Sequence, residues 1–245
     1  MIRRFTLTLL AVLTVFATQA QTADEILAKY FENTGGLTKW KEIKTTKMEG
    51  KAPTPQGDFP IVLYAKAPNK SKVVLNVQGK ELIAQAYDGT TAWTLNPFAG
   101  GTTAVKLDEE QAKEVKEEEV ESEFIDYAKK GHAVTLEGKE EIDGVQCYKI
   151  KIEKHKNNDK EDVVKVYYFD SENYVPIMVK SYVRSGPAKG TEMQTYLSDY
   201  QDVSGLMMPF AMETKINGQV VQKLVVEKIV INENIDDSVF AYPSK

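Results

Sequence analysis

The sequence predicts a mainly β protein built from antiparallel strands, and three observations carry that reading. Segments of alternating apolar and polar residues dominate from about Ile43 onward. Asp88-Gly89, Asp143-Gly144 and Asn217-Gly218 punctuate them, and such dipeptides tolerate positive φ at two-residue hairpins. No strand alternates with a crossover helix, so a doubly wound parallel sheet does not fit.

The chain opens with Arg3 and Arg4, then an apolar run from Leu7 to Phe16, then the small residues Ala17-Thr18-Gln19-Ala20. The run is too short to span a bilayer, so residues 1–20 read as a secretory signal cleaved after Ala20. Residues 21–245 then form the exported mature chain, long enough for one large β domain or two small ones. Removing the signal takes away Arg3 and Arg4 and no acid, which carries the formal net charge from −5 to −7. That balance argues against nucleic acid and against docking on anionic lipid. The lone Cys147 has no partner within the chain, so the fold rests on an ordinary core and not on disulfides.

The elements follow in order. Thr22 and Glu25 fit a capping box, Ile26, Leu27, Tyr30 and Phe31 recur at helical spacing, and Gly35-Gly36 stops the helix. A short turn around Leu37 to Trp40 leads into strands near 43–52, 59–67, 70–78, 81–88, 91–96, 132–141, 145–154, 163–170, 175–184, 191–201, 206–216 and 219–231. One segment interrupts them. Residues 108–130 hold ten acids and no Gly or Pro, Asp108 with Gln111 suggests a second capping box, and Val120, Phe124 and Tyr127 share one helical face. This reads as an acidic helix, either packed on the sheet or covering the mouth of a β structure. Lys154 to Asp162 is polar and reads as a hairpin loop.

Catalytic constellations are missing from the pattern. The histidines are His132 and His155, no Gly-x-Ser-x-Gly surrounds a serine, and Cys147 reads as a quiet structural thiol. There is no His-Glu-x-x-His, no second cysteine and no calcium loop, so no metal and no cofactor are expected. What stands out is apolar content on both faces of Val163–Phe169 and Val175–Val183, together with Met207, Met208, Phe210 and Met212. A sheet with one wet face alternates more cleanly. Two covered faces suit a curved sheet that encloses an apolar cavity, and Met-rich linings adapt to varied ligands.

Several pieces in order carry a resemblance. They are Thr22-Ala23-Asp24-Glu25-Ile26-Leu27, Gly35-Gly36, Tyr87-Asp88-Gly89-Thr90-Thr91-Ala92-Trp93, Glu141-Ile142-Asp143-Gly144, Tyr168-Phe169-Asp170, Gly205-Leu206-Met207-Met208-Pro209-Phe210 and Phe240-Ala241-Tyr242-Pro243. Together they resemble the LolA-like outer-membrane lipoprotein-sorting proteins over nearly the whole mature chain. The resemblance implies a mainly β single domain over residues 21–245, an unclosed antiparallel β-barrel of about 11 strands with helices as a lid. It also implies a non-enzymatic, monomeric periplasmic carrier that binds lipoprotein acyl chains or similar apolar lipids for transfer to the outer membrane. An inner-membrane donor and an outer-membrane acceptor would be its partners. Candidate ligand-binding residues are Trp93, Phe98, Val120, Phe124, Met178, Tyr182, Met208 and Phe210. The founding carriers hold the lid with an early-strand arginine. Here the mature chain has only Arg184, placed late, which leaves Lys51 or Lys66 as substitutes lacking a planar fork of donors. Two other readings stay open: a lipid-sensing or protein-docking envelope module of the same fold without transfer activity, and a hydrolase with a carboxylate pair in the cavity.

Overall fold

A computed structural model describes residues 21–99, 103–154 and 163–243. Residues 1–20, where the sequence leads one to expect an export signal, lie outside the described residues, as do His155 and the expected polar loop through Asp162. The chain begins with α1 (Ala23–Asn33), whose capping box forms as the sequence predicts. Thr22 Oγ1 accepts from the Glu25 amide at 3.2 Å, and Glu25 Oε2 accepts from the Thr22 amide at 2.9 Å. Gly35 and Gly36 then take φ of 109° and 100°, and the Gly36 amide donates to the Phe31 carbonyl at 2.7 Å. A short α2 (Leu37–Lys41) follows.

Among the described residues, thirteen strands make one antiparallel sheet. They are β1 (Thr45–Thr54), β2 (Gly57–Lys66), β3 (Lys70–Val77), β4 (Lys80–Tyr87), β5 (Ala92–Leu95), β6 (Val105–Lys106), β7 (Ala133–Ile142), β8 (Val145–Lys154), β9 (Val163–Asp170), β10 (Pro176–Tyr182), β11 (Glu192–Val203), β12 (Leu206–Ile216) and β13 (Gln219–Ile231). Their order is β6-β5-β4-β3-β2-β1-β13-β12-β11-β10-β9-β8-β7. The chain therefore walks outward from β1 to one edge, crosses to the other edge at β7, and walks back to pair β13 with β1. This is an open barrel. The sequence reading lacks only β6, a two-residue strand with both side chains exposed and therefore without any periodic signature.

Turn chemistry sets the registers. Asp143-Gly144 and Asn217-Gly218 take positive φ and join the directly paired Ile142 with Val145 and Ile216 with Gln219. Gln78-Gly79 and Ser204-Gly205 do the same for β3–β4 and β11–β12. Asp88-Gly89 departs from expectation: four residues separate the paired Tyr87 and Ala92. Asp88 Oδ1 accepts from the amides of Thr90 and Thr91 at 2.8 and 2.7 Å, so a side chain organises that loop instead of two positive-φ residues.

The acidic segment also departs from expectation. Asp108 and Gln111 form their capping box, but α3 spans only Glu109–Glu117, and Glu118 is extended at φ −68°, ψ 118°. A continuous helix would stack Glu114 on Glu118, Glu117 on Glu121 and Glu119 on Glu123, like charges four apart that oppose it. Turns replace it through Gly131, so Val120, Phe124 and Tyr127 do not share a helical face. Residues 107–132 thus form a strap from edge strand β6 to edge strand β7.

The core is divided. Ile26, Leu27, Tyr30 and Phe31 of α1 pack with Phe124 and Ile125 of the strap on Tyr148, Ile150, Ile152 and Phe169. Fully burying a side chain of this size contributes roughly 1.5–3 kcal/mol. On the other face of β8–β10, Cys147, Val166, Tyr168 and Met178 form a second cluster, flanked by Ile142, Ile177 and Tyr196. These two clusters account for the doubly apolar strands read in the sequence. A third cluster joins β1, β2, β12 and β13 through Ala52, Ile61, Leu206, Met208, Phe210, Leu224 and Val226.

Candidate functional site

Between the strap and the sheet lies a cavity of about 1170 Å³, above the roughly 300–1,000 Å³ of typical small-molecule sites. Its apolar wall comes from Tyr30, Trp40, Val120, Phe124, Tyr167, Pro176, Val179, Leu197, Tyr200, Met207 and Pro209. Alternation explains the choice on the strands. Val179 of β10 stands opposite Tyr167 of β9 and Thr195 of β11, and all three face inward. Their neighbours Met178, Tyr168 and Tyr196 belong to the second cluster, on the outer face.

The remaining lining is charged and belongs largely to the strap, whose glutamates bind it to the walls. Arg184, just past β10, pairs with Glu117 at the end of α3, and its amide donates to Glu114 Oε1 at 2.8 Å. Across the opening, Asn69 Nδ2 donates to the Lys116 carbonyl at 3.0 Å, and the Val120 amide donates to the Pro68 carbonyl at 3.2 Å. Deeper, Glu123 Oε2 contacts Lys165 Nζ at 2.9 Å and Lys154 Nζ at 3.6 Å, while Tyr167 donates to Glu123 Oε1 at 2.5 Å. Burial pushes the Glu123 carboxyl up, but the Lys165 charge, the Tyr167 hydrogen bond and Lys154 outweigh it and hold the group below the usual range. The Tyr167 phenol is raised by burial and by the same carboxylate. Glu118 opens onto the cavity, where burial raises its carboxyl against a 3.3 Å hydrogen bond from Gln85.

The structure sorts the eight sequence-predicted ligand residues. Val120, Phe124 and Tyr182 line the cavity. Met208 and Phe210 do not: they alternate into the third cluster, while Met207 and Pro209 beside them take the cavity side. Met178 falls on the outer face. Trp93 is buried among Ile83, Ala86 and Ala104 and donates to the Phe240 carbonyl at 3.0 Å, far along the sheet on β5. Phe98 is exposed on the loop after β5. Neither proposed lysine reaches the strap. Lys51 pairs with Glu227, and Lys66 with Asp237 and the Ile235 carbonyl; the late Arg184 holds α3 instead. Ser71, Lys165, Val179 and Leu197 were missed, because the signal for them is strand parity and not hydrophobicity. Among the described residues no group of three or more His, Cys, Asp or Glu side chains is placed to hold a metal, and no helix is long and apolar enough to cross a membrane.

Comparison with known proteins places this geometry. No curated protein matches the chain. Among solved structures, a LolA superfamily protein from Nitrosomonas europaea is 14% identical, with a TM-score of 0.56, covering 91% of this chain and 98% of its own. A domain named for outer membrane lipoprotein sorting, from Vibrio parahaemolyticus, is 12% identical, with a TM-score of 0.54, covering 88% and 94%. A DUF1329 family protein from Desulfovibrio piger is also 12% identical, with a TM-score of 0.56, covering 89% and 97%. A family model described as "uncharacterized protein" matches residues 102–243, more than half of the chain. The chain therefore belongs to that family, and its open antiparallel barrel is similar in fold to the LolA superfamily protein of Nitrosomonas europaea.

Proposed function

We propose that this chain is an exported, monomeric carrier that binds the acyl chains of a lipoprotein, or a similar apolar lipid, and delivers them toward the outer membrane. The observation that carries the reading is the strapped cavity: an apolar wall of about a dozen side chains closed by a polar segment bound at several points. In this reading Val120, Phe124 and Tyr182 contact the bound chain, together with Val179 and Leu197 of the sheet. The protein acts by binding and not by catalysis, and the glutamates of the cavity serve as fasteners of the strap. Each buried methylene contributes about 0.8 kcal/mol. A sixteen-carbon chain gains on the order of 12 kcal/mol gross, and association costs of roughly 4–15 kcal/mol leave a reversible affinity. Reversibility suits a shuttle that receives cargo from an inner-membrane donor and yields it to an outer-membrane acceptor.

Mass spectrometry of an organic extract from protein purified from periplasm without detergent tests this reading. A stoichiometric acylated species, lost in a Leu197→Trp variant that fills the cavity, is the expected result. An extract without lipid, together with no binding of a fluorescent fatty acid, would overturn it in favour of a docking module of the same fold.

A further inference from the structure

Three buried polar atoms among the described residues have no hydrogen-bond partner: Ser71 Oγ, Arg184 Nη2 and His132 Nδ1. Ser71 and Arg184 both line the cavity. Ser71 lies on β3, directly opposite Ala65 of β2, which lines the same space, and keeps only 7% exposure. The Arg184 side chain keeps 16%, and its pairing with Glu117 uses Nη1 and leaves Nη2 unpaired. The two residues flank the same short piece of chain. Asn69, two positions before Ser71, holds the Lys116 carbonyl, and Arg184 holds the next residue, Glu117.

Buried donors are almost always satisfied, so two unsatisfied ones on residues that line a single cavity call for an acceptor. A guanidinium nitrogen only donates, and a serine hydroxyl can donate as well. Nearby carboxylates are already engaged: Glu117 with Arg184 Nη1, Glu114 with the Arg184 amide, and Glu118 with Gln85. We propose that the ligand is an amphiphile whose oxygen-bearing head, a carboxylate or an ester carbonyl, accepts from Ser71 Oγ and Arg184 Nη2 beside the last turn of α3. Its hydrocarbon tail then lies along Val179, Leu197 and Tyr200. The assignment rests on the carrier reading and adds the chemistry and seat of the head group. An ammonium head, which has only donors to offer, finds no partner in the guanidinium and can use only the lone pairs of the serine hydroxyl.

The test is displacement of a dansyl-labelled fatty acid from the full chain by palmitate, methyl palmitate and hexadecylammonium. The wild type is expected to bind an oxygen-headed ligand about tenfold more tightly than the ammonium. Ser71→Ala should weaken the oxygen-headed ligand about three- to tenfold, the size of one hydrogen bond. It should not lower Tm, because the deleted hydroxyl has no partner in the protein. Arg184→Lys, which keeps a cation against Glu117 but loses the second nitrogen, should weaken the same ligand. Loss for palmitate alone identifies a carboxylate head, loss for the ester alone an ester, and loss for both an acceptor of either kind. Equal binding of all three ligands, unchanged by either substitution, overturns the head-group assignment while the carrier reading stands. Failure of the wild type to bind the labelled fatty acid overturns the carrier reading itself.

Discussion

Glu123→Gln offers the sharpest test of how the strap is held. The Glu123 side chain keeps 9% exposure and that of Lys154 7%, with Lys165 more open at 32%. One carboxylate oxygen faces both lysines at 2.9 and 3.6 Å, and the other accepts from Tyr167 at 2.5 Å. Removing one member of a buried ion pair costs about 3–5 kcal/mol. The lower end applies here, because Lys165 can turn toward water and the amide oxygen of Gln can still accept from Tyr167. A loss of about 3 kcal/mol is a large share of the roughly 5–15 kcal/mol that holds a typical domain. At about 2–4 °C per kcal/mol for a domain of this size, Tm should fall by about 6–12 °C. Urea unfolding of the wild type, Glu123→Gln, Lys165→Met and the double variant would measure it. The cycle should return a coupling above about 1 kcal/mol. A loss under about 1 kcal/mol with no coupling would show that the cluster is solvated and the strap is held elsewhere.

Other consequences are simpler to check. The Glu123 carboxyl sits below its usual range in the folded protein, since Lys165, Tyr167 and Lys154 overcome the upward push of burial. Its contribution is therefore full at neutral pH and is lost as pH falls below about 4.5 through the folded value. Urea midpoints between pH 6 and 3 should drop less steeply in Glu123→Gln than in the wild type, and parallel curves would contradict this. Gly35→Ala should cost at least about 2 kcal/mol. Gly35 has φ 109°, and a Cβ there would stand 2.0 Å from the Gly205 carbonyl oxygen, with backbone on both sides; an unchanged thermal melt would refute the clash. Cys147 is fully buried, and burial pushes its thiol to about 11. It should ignore an aromatic disulfide reagent at pH 7.5 until denaturant is added, then react with one equivalent; rapid labelling of the native protein would contradict the burial.

Local physics was legible in the sequence, and long-range parity was not. Thr22 with Glu25 and Asp108 with Gln111 cap their helices as read, because a cap depends on residues three positions apart. Asp143-Gly144 and Asn217-Gly218 make their hairpins for the same reason. The run Leu206 to Met212 shows where the reading ends: its apolar content marked a buried strand, yet apolar content does not say which of two covered faces meets the cavity. Met208 and Phe210 are the candidates that hydrophobicity points to, whereas Met207 and Pro209 line the space. Arg184 carried no local signal at all. Its role arises because the strap crosses from β6 to β7 and brings Glu117 within reach, a contact between residues 67 positions apart. The acidic segment misled by its composition: ten acids without Gly or Pro read as one helix, whereas their pairing with separate partners breaks it at Glu118.

The pairing of the first strand with the last has a kinetic consequence. Thr46 meets Ile231 and Lys51 meets Val225, so the middle of the sheet is its most distant contact in sequence. Each wing can assemble by local hairpins, β1 to β6 and β7 to β13, but neither is an enclosure alone. Contacts of such separation carry the highest loop-closure cost and form slowly. A chain that leaves its site of synthesis N-terminus first cannot lock the barrel until β13 has emerged. Up to that moment only local hairpin contacts hold either wing, and the unfinished sheet is the species most open to proteolysis and aggregation.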